Sequence, residues 1–242
     1  MDKDQTQTGV YMKISGETQA VLTNFGGINQ SIMIREGSRL STISASKNIL
    51  ANVTIKETMP KSFGIYDLTK FLGVMKLYED QELDFEEEYV VIRNAKNTRQ
   101  YTRFYYSDPS VIISPPEGKT VTFPDVPDVS FSMSQKDFQN IVKGASVMDL
   151  PQVVIRGVEG QPVLISGVDT NNSAMGSFNH ELEDVQSPDD FSFTIGIENL
   201  TKLMVGDYDI AFSSSGISRF TNTTTGVEYF VAVQSTDEDD ED

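Results

Sequence analysis

Apolar residues recur at helical spacing in short stretches of this chain and at strand spacing across most of the rest. Thr18, Val21, Leu22 and Phe25 follow the i, i+3, i+4, i+7 stripe, which predicts a helix from near Ser15 to about Ile28. Leu68, Phe71, Leu72 and Met75 form a second stripe, with Asp67 placed to cap its N-terminus. Phe138, Ile141, Val142 and Ala145 form a third, and Ser134 followed by Asp137 resembles a capping box. Alternating positions predict strands at 31–35, 39–45, 49–56, 89–93 and 101–106, with turns at 36–37 and 94–100. Further strands are predicted at 152–158, 163–168, around 174–182, and at 191–197, 208–213, 217–222 and 228–234. Between the two sets, residues 107–128 hold Pro109, Pro115, Pro116, Pro124 and Pro127, an extended connector that cannot continue a helix.

One phrase occurs twice. Gly64-Ile-Tyr-Asp-Leu-Thr-Lys-Phe-Leu72 returns as Gly196-Ile-Glu-Asn-Leu-Thr-Lys-Leu-Met204, 132 residues on. Repetition at about half the chain length, with the same order of helix, hairpin, strand and short helix in each half, predicts two copies of one α+β domain. The expected organisation is an N-terminal extension at 1–10, a first domain at 11–107, a connector at 108–128, a second domain at 129–235 and an acidic tail at 236–242.

Counting about 100° per residue from Leu68 puts Lys70 about 200° away from the apolar stripe, and Lys202 has the same offset from Leu200. On the same count Lys136 and Lys143 fall about 140–160° from Phe138. Lys76 lies nearer the edge of its stripe. Singly, each lysine is an ordinary solvated helix residue. Together, away from the predicted core of an acidic chain, they predict a cationic surface suited to phosphate contact without base readout.

The net charge of −17 argues at first against nucleic acid. Residues 79–88 hold seven acids and no base, however, and 237–242 add six more. Setting those thirteen aside leaves −4 on the other 226 residues, so a local basic surface stays open. The two acidic blocks read as a solvated loop and a repulsive tail, and the tail lacks the glycine and spacing of a calcium loop.

With no cysteine there is no disulfide, thiol nucleophile or Cys-ligated metal. The single histidine, His180, sits in an alternating segment and reads as a strand-face residue; a histidine triad or multi-histidine metal site has no support. No catalytic residue, metal or cofactor is expected. Paired-carboxylate hydrolysis is disfavoured because the carboxylates cluster in low-complexity blocks. A β-rich structural virion protein is the alternative class. The N-terminus carries no signal pattern and no apolar run reaches membrane-spanning length, so an intracellular chain is the expectation, and the Asn-x-Ser/Thr sequons read as chance matches.

Three segments resemble the sliding clamp, the DNA polymerase processivity factor, of T-even-type bacteriophages. They are residues 12–29, with the core Leu22-Thr-Asn-Phe25 and Ile28-Asn29; residues 65–73; and Gly206-Asp-Tyr208 together with 228–233. The resemblance spans about 11–234, leaving the two ends outside it. It implies two similar domains per subunit in a head-to-tail homotrimeric ring, with helices lining a hole around duplex DNA. The ring would tether the polymerase, be loaded by an ATP-driven clamp loader, bind no nucleotide, and serve replication and late transcription in the cytoplasm of an infected bacterium. On this footing Lys70, Lys76, Lys136, Lys143 and Lys202 would face DNA. The subunit joint would pair edge strands at 100–106 and 173–182, using Tyr101, Arg103, Phe104, Tyr105, Met175, Ser177 and Phe178. A partner-peptide pocket would involve Val111, Ile112, Ile113, Phe230, Ala232 and Val233.

Overall fold

A computed structural model describes residues 11–118 and 121–235. The chain divides into two compact units. The first comprises the chain up to Pro116, apart from Ser46–Ala51; the second takes those six residues and everything from Glu117 onward. The N-terminal extension at 1–10 and the acidic tail at 236–242 lie outside the described residues.

The first unit runs β1 (Tyr11–Met12), α1 (Gly16–Ile28), β2 (Ile32–Ile34), β3 (Gly37–Ile43), β4 (Ile49–Met59, whose first three residues belong to the second unit), β5 (Phe63–Ile65), α2 (Leu68–Met75), β6 (Gln81–Phe85), β7 (Tyr89–Asn94) and β8 (Asn97–Tyr105). Its four-stranded sheet has the order β1-β6-β7-β8, antiparallel throughout; β2 pairs with β5, and β3 neighbours β4. The α1 stripe forms as its spacing predicts: Thr18, Val21, Leu22, Phe25 and Ile28 are buried, and the Ser15 hydroxyl accepts the Thr18 N–H. In α2 the buried set is Leu68, Phe71, Leu72 and Met75, and Asp67 accepts the Lys70 N–H at 2.8 Å.

The second unit runs β9 (Val129–Met133), α3 (Gln135–Val147), β10 (Gln152–Gly157), β11 (Pro162–Val168), β12 (Phe178–Gln186), β13 (Phe191–Gly196), α4 (Ile197–Leu200), β14 (Tyr208–Ser213), β15 (Ile217–Asn222), β16 (Glu228–Ala232) and β17 (Gln234–Ser235). One antiparallel sheet has the order β12-β11-β10-β13-β17, and another continues β16-β15-β14-β9. Its core is aromatic: Phe212 packs 5.2 Å from Phe193 and 6.1 Å from Phe220, and Phe138 of α3 lies 5.0 Å from Tyr208. Phe138, Ile141 and Ala145 are buried as expected, while Val142 is only half-buried.

Four local expectations are corrected. The acidic block at 79–88 is not a solvated loop, because β6 runs through it with Leu83 buried in the sheet. Alternation puts Glu82 and Asp84 on the other face, and neighbouring cations temper the charge: Arg93 pairs with Glu82 at 3.2 Å, and Lys13 pairs with Asp80 at 2.5 Å. The predicted turn at 94–100 is short, with β8 already under way at Asn97. The segment predicted as strand around 174–182 starts with a 3-10 turn, Ser173–Met175, and becomes strand only at Phe178. The proline-rich connector holds one 3-10 turn, Pro109–Val111, capped by Asp108.

The repeated phrase folds differently in its two copies. In the first, the helix starts after Asp67. In the second, α4 starts three positions earlier in the phrase, at Ile197, and ends at Leu200. Asn199, the counterpart of Asp67, does not cap a helix; it is buried and its side-chain carbonyl accepts the Asn48 amide at 2.9 Å. Lys202 therefore lies in the turn after α4, its N–H donating to Asn199 O at 3.2 Å, and not on a helix face.

Candidate nucleic-acid interface

The helix faces turned away from the two cores are poor in acid. In α1 the exposed positions past the first turn are Ala20, Thr23 and Gly27, and α2 exposes Thr69, Lys70 and Gly73, with Lys76 at its C-cap. In α3 the exposed row reads Lys136, Gln139, Asn140, Lys143 and Ser146. Lys202 is half-exposed on its turn. The carboxylates of these helices sit at their starts and are already engaged. Asp67 caps α2, Asp137 accepts the Ser134 hydroxyl at 2.6 Å, and Glu17 pairs with Lys56 at 2.7 Å. Among the described residues no carboxylate forms an ion pair with Lys70, Lys76, Lys136 or Lys143. Gln139 and Asn140, which no charge pattern marks in advance, add neutral hydrogen-bonding groups between the two lysines of α3.

The two segments expected at a subunit joint are edge strands: β8 ends the sheet of the first unit and β12 ends the five-stranded sheet of the second. Their side chains divide by parity. Tyr101 and Tyr105 are exposed and share a face with Arg103, whereas Phe104 points the other way, its ring 5.1 Å from Phe71 of α2. In β12 the helix-facing residues are Phe178, His180 and Leu182. Phe178 covers Gly144 of α3, where an added Cβ would meet its ring at 2.5 Å, and His180 Nε2 lies 3.6 Å from Asp137. His180 is thus a half-buried strand-face residue. Met175 and Ser177 are exposed on the approach to β12.

The residues expected to form a partner pocket fall in both units. In the first, Ile112 is buried, packing on Gly64, while its neighbours Val111 and Ile113 are 53% and 46% exposed. The Asn29 amide fixes this stretch by donating to Ile43 O and Ile113 O, both at 2.9 Å, and Arg35 donates to Pro115 O. In the second, Phe230 and Val233 are buried and Ala232 is exposed; Phe123 of the connector lies 6.4 Å from Phe230, and the Arg219 guanidinium stacks on Phe123 at 4.7 Å. The Asn29 tether and the Phe123–Arg219 stack leave no signature in local sequence, since each joins residues far apart along the chain.

Among the described residues there is no cluster of three or more His, Cys, Asp or Glu side chains able to hold a metal ion, and no helix is long and apolar enough to cross a membrane.

Residues 15–114 match the family model described as DNA polymerase processivity factor, and residues 130–235 match that described as gp45 sliding clamp, C terminal. The sliding clamp of Vibrio phage KVP40 is 30% identical over 227 residues, covering 93% of this chain and all of that protein. The sliding clamp of Enterobacteria phage T4 is 27% identical over 209 residues, 85% of this chain and 89% of that one. Among solved structures, A. fulgidus PCNA bound to the C-terminal region of FEN-1 superposes with a TM-score of 0.67 over 94% of this chain and 99% of that one. At 12% identity that likeness speaks for the fold alone. The α+β clamp architecture and the two family matches agree, and none of these relatives favours a virion protein: the chain belongs to the DNA polymerase processivity factor family, the sliding clamps of bacteriophages.

Proposed function

We propose that this sliding clamp works as a homotrimeric ring closed around duplex DNA, holding the replicative polymerase to its template without catalysing a reaction itself. The observation that carries the reading is the row of exposed lysines on helix surfaces in both units, with the neighbouring carboxylates taken up in caps. Lys70, Lys76, Lys136, Lys143 and Lys202 would touch backbone phosphates from inside the hole. Such contacts are sequence-independent and weakened by salt, so they permit sliding, while retention is topological. A tight grip would defeat that role.

In the ring, β8 of one subunit would add to β12 of the next, a heterologous contact that satisfies two open sheet edges at once. The segment from Val111 to Ile113, and separately Phe230, Ala232 and Val233, are the proposed docking residues for a short C-terminal peptide of the polymerase or of an ATP-driven loader. The PCNA bound to the FEN-1 C-terminal region offers the analogy. The setting would be the cytoplasm of an infected bacterium.

Processive primer extension with the cognate polymerase and loader tests the reading. Stimulation should be strong on circular template and vanish once the template is linearised with unblocked ends. Equal stimulation on both forms rules out topological retention.

A further inference from the structure

The edge strands β8 and β12 carry opposite charge, and in each a charged residue lies on the face turned away from its own unit's helix. β8, with the sequence NTRQYTRFY, has two arginines and no acid. β12, FNHELEDVQ, has three acids and no lysine or arginine. In β8 the helix-facing parity is fixed by Phe104 on Phe71, so Tyr101, Arg103 and Tyr105 share the outer face, while exposed Arg99 lies in the irregular stretch between Asn97 and Tyr101. In β12 it is fixed by Phe178 on Gly144 and by buried Leu182, so exposed Glu181 lies on the outer face as well. Two sheets joined edge to edge with their helices on one side would bring Arg103 and Glu181 onto one common face.

The arginine is held ready. Arg103 lies over the rings of Tyr89 at 5.5 Å and Tyr101 at 5.7 Å, and Tyr89 in turn packs 5.3 Å from Tyr105. No described carboxylate lies within ion-pair distance of Arg103 or Arg99, whereas Arg93 on the same sheet is paired with Glu82. No described cation pairs with Glu181 either. Among the described residues, Arg103 on β8 and Glu181 on β12 thus have no ion-pair partner and are opposite in sign.

We infer that the occupant of each edge is a second copy of this chain, and that the joint is keyed by charge: the arginines of β8 meet Glu181 of β12, and this pairing selects the head-to-tail arrangement. An isologous β8–β8 contact would set arginine against arginine, and a β12–β12 contact would set acid against acid. Like charges directly opposite one another in adjacent strands are destabilising. Head-to-tail pairing sets positive charge against negative at the joint, and repetition of a heterologous contact leads to closure. The inference rests on the edge-to-edge ring proposed above and adds to it the interaction that sets polarity. It also predicts that salt, which screens charge but strengthens apolar contact, loosens the joint.

Sedimentation equilibrium of the full chain from about 50 mM to about 500 mM NaCl reads the effect directly. A charge-keyed joint gives a dissociation constant that rises about tenfold or more over that range. A constant that is unchanged, or falls, means that Tyr101, Tyr105 and Phe178 carry the joint by apolar contact, and the charge key is overturned. A chain monomeric at every salt concentration removes the ring itself, a separate failure. The variants give the second arm. Arg99→Glu with Arg103→Glu should weaken self-association about tenfold or more, and adding Glu181→Lys to the same chain should recover much of it. The two arginines and Glu181 are exposed, so thermal melts should match the parent; lost association without recovery in the triple variant, in a chain that melts normally, overturns charge pairing.

Discussion

Glu57 accepts the Thr18 hydroxyl at 2.6 Å through one carboxylate oxygen, while its other oxygen takes the Ser15 backbone N–H at 2.5 Å. A strand of the first unit thereby holds the opening turn of α1, where the helix dipole also favours negative charge. Burial alone would raise the Glu57 pKa, but the hydrogen bonds from Thr18 and Ser15 outweigh it and keep the group below its ordinary 4.5. A carboxylate lowered in the folded state contributes stability that is complete above 4.5 and disappears as the pH falls below that value. Glu57→Gln should cost about 1–2 kcal/mol at neutral pH, allowing for partial solvent access. Urea melts of parent and variant should converge as the pH is lowered from about 6 to about 3; a gap that persists at the acid end would leave the carboxylate charge without a role.

Lys70→Ala and Lys136→Ala should leave the thermal midpoint unchanged, because both side chains are exposed and unpaired among the described residues. If each touches one phosphate, each should lower the salt slope of clamp–DNA association by about one. Gln139→Ala, on the same face of α3, is the control that removes a neutral group and should leave the slope alone. Equal slopes for all three variants would take the lysines off the DNA.

The two glycines that open the repeated phrase should respond differently to alanine. A Cβ on Gly64 would stand 2.8 Å from the Ser107 backbone carbonyl and 3.1 Å from Ile112, neither of which can swing aside. The atoms nearest a Cβ on Gly196 would be those of the Glu198 carboxylate, from 2.3 Å, which can rotate away. Gly64→Ala is expected to destabilise by about 1–3 kcal/mol, and Gly196→Ala to stay within about 0.5 kcal/mol of the parent. Denaturant melts decide the matter, and equal costs would contradict this assignment. Because Ile112 carries Val111 and Ile113 with it, Gly64→Ala should also weaken polymerase stimulation if those residues dock a partner.

Tyr208 and Tyr229 clamp the peptide of Met204 from inside. The Tyr229 oxygen accepts the Met204 N–H at 3.2 Å, and the Tyr208 hydroxyl donates to the Met204 carbonyl. Burial pushes the Tyr208 phenol up to about 12, and burial raises Tyr229 as well. Phenols raised in the folded state contribute stability that is full below their ordinary value of 10.0 and is lost as the pH climbs from there toward 12. Alkaline unfolding should therefore be steeper in the parent than in Tyr208→Phe, and Tyr229→Phe should cost about 1–2 kcal/mol at neutral pH by leaving the Met204 N–H without its acceptor. A parent and variant with parallel alkaline profiles would refute the linkage.

Much of the fold is legible in the sequence where local chemistry and periodicity agree. The stripes of α1, α2 and α3 are each introduced by a capping side chain, Ser15, Asp67 or Ser134, and those caps form. The reading fails where a distant partner decides. Asn199 looks like the capping counterpart of Asp67, yet Asn48, 151 residues earlier, engages its side chain and the helix starts elsewhere. β6 is hidden for another reason: seven acids obscure the alternation that buries Leu83, and the compensating cations, Lys13 and Arg93, come from other segments. The lysines are visible as residues and their separation from the core follows from spacing, but spacing placed Lys202 on a helix that has already ended. The open edges of β8 and β12 emerge only from the strand order.

The chain visits its second unit early. Ser46–Ala51 belongs to that unit, and the Asn48 carbonyl accepts the Ala232 N–H at 2.9 Å. One piece of the second unit therefore precedes most of the first along the chain, and its hydrogen-bond partner lies far beyond the connector. The two units thus do not follow one another strictly along the chain, as tandem domains that fold in turn usually do. A single proteolytic cut in the connector should likewise leave two fragments neither of which is a whole unit, so the duplicated halves are no longer separable parts.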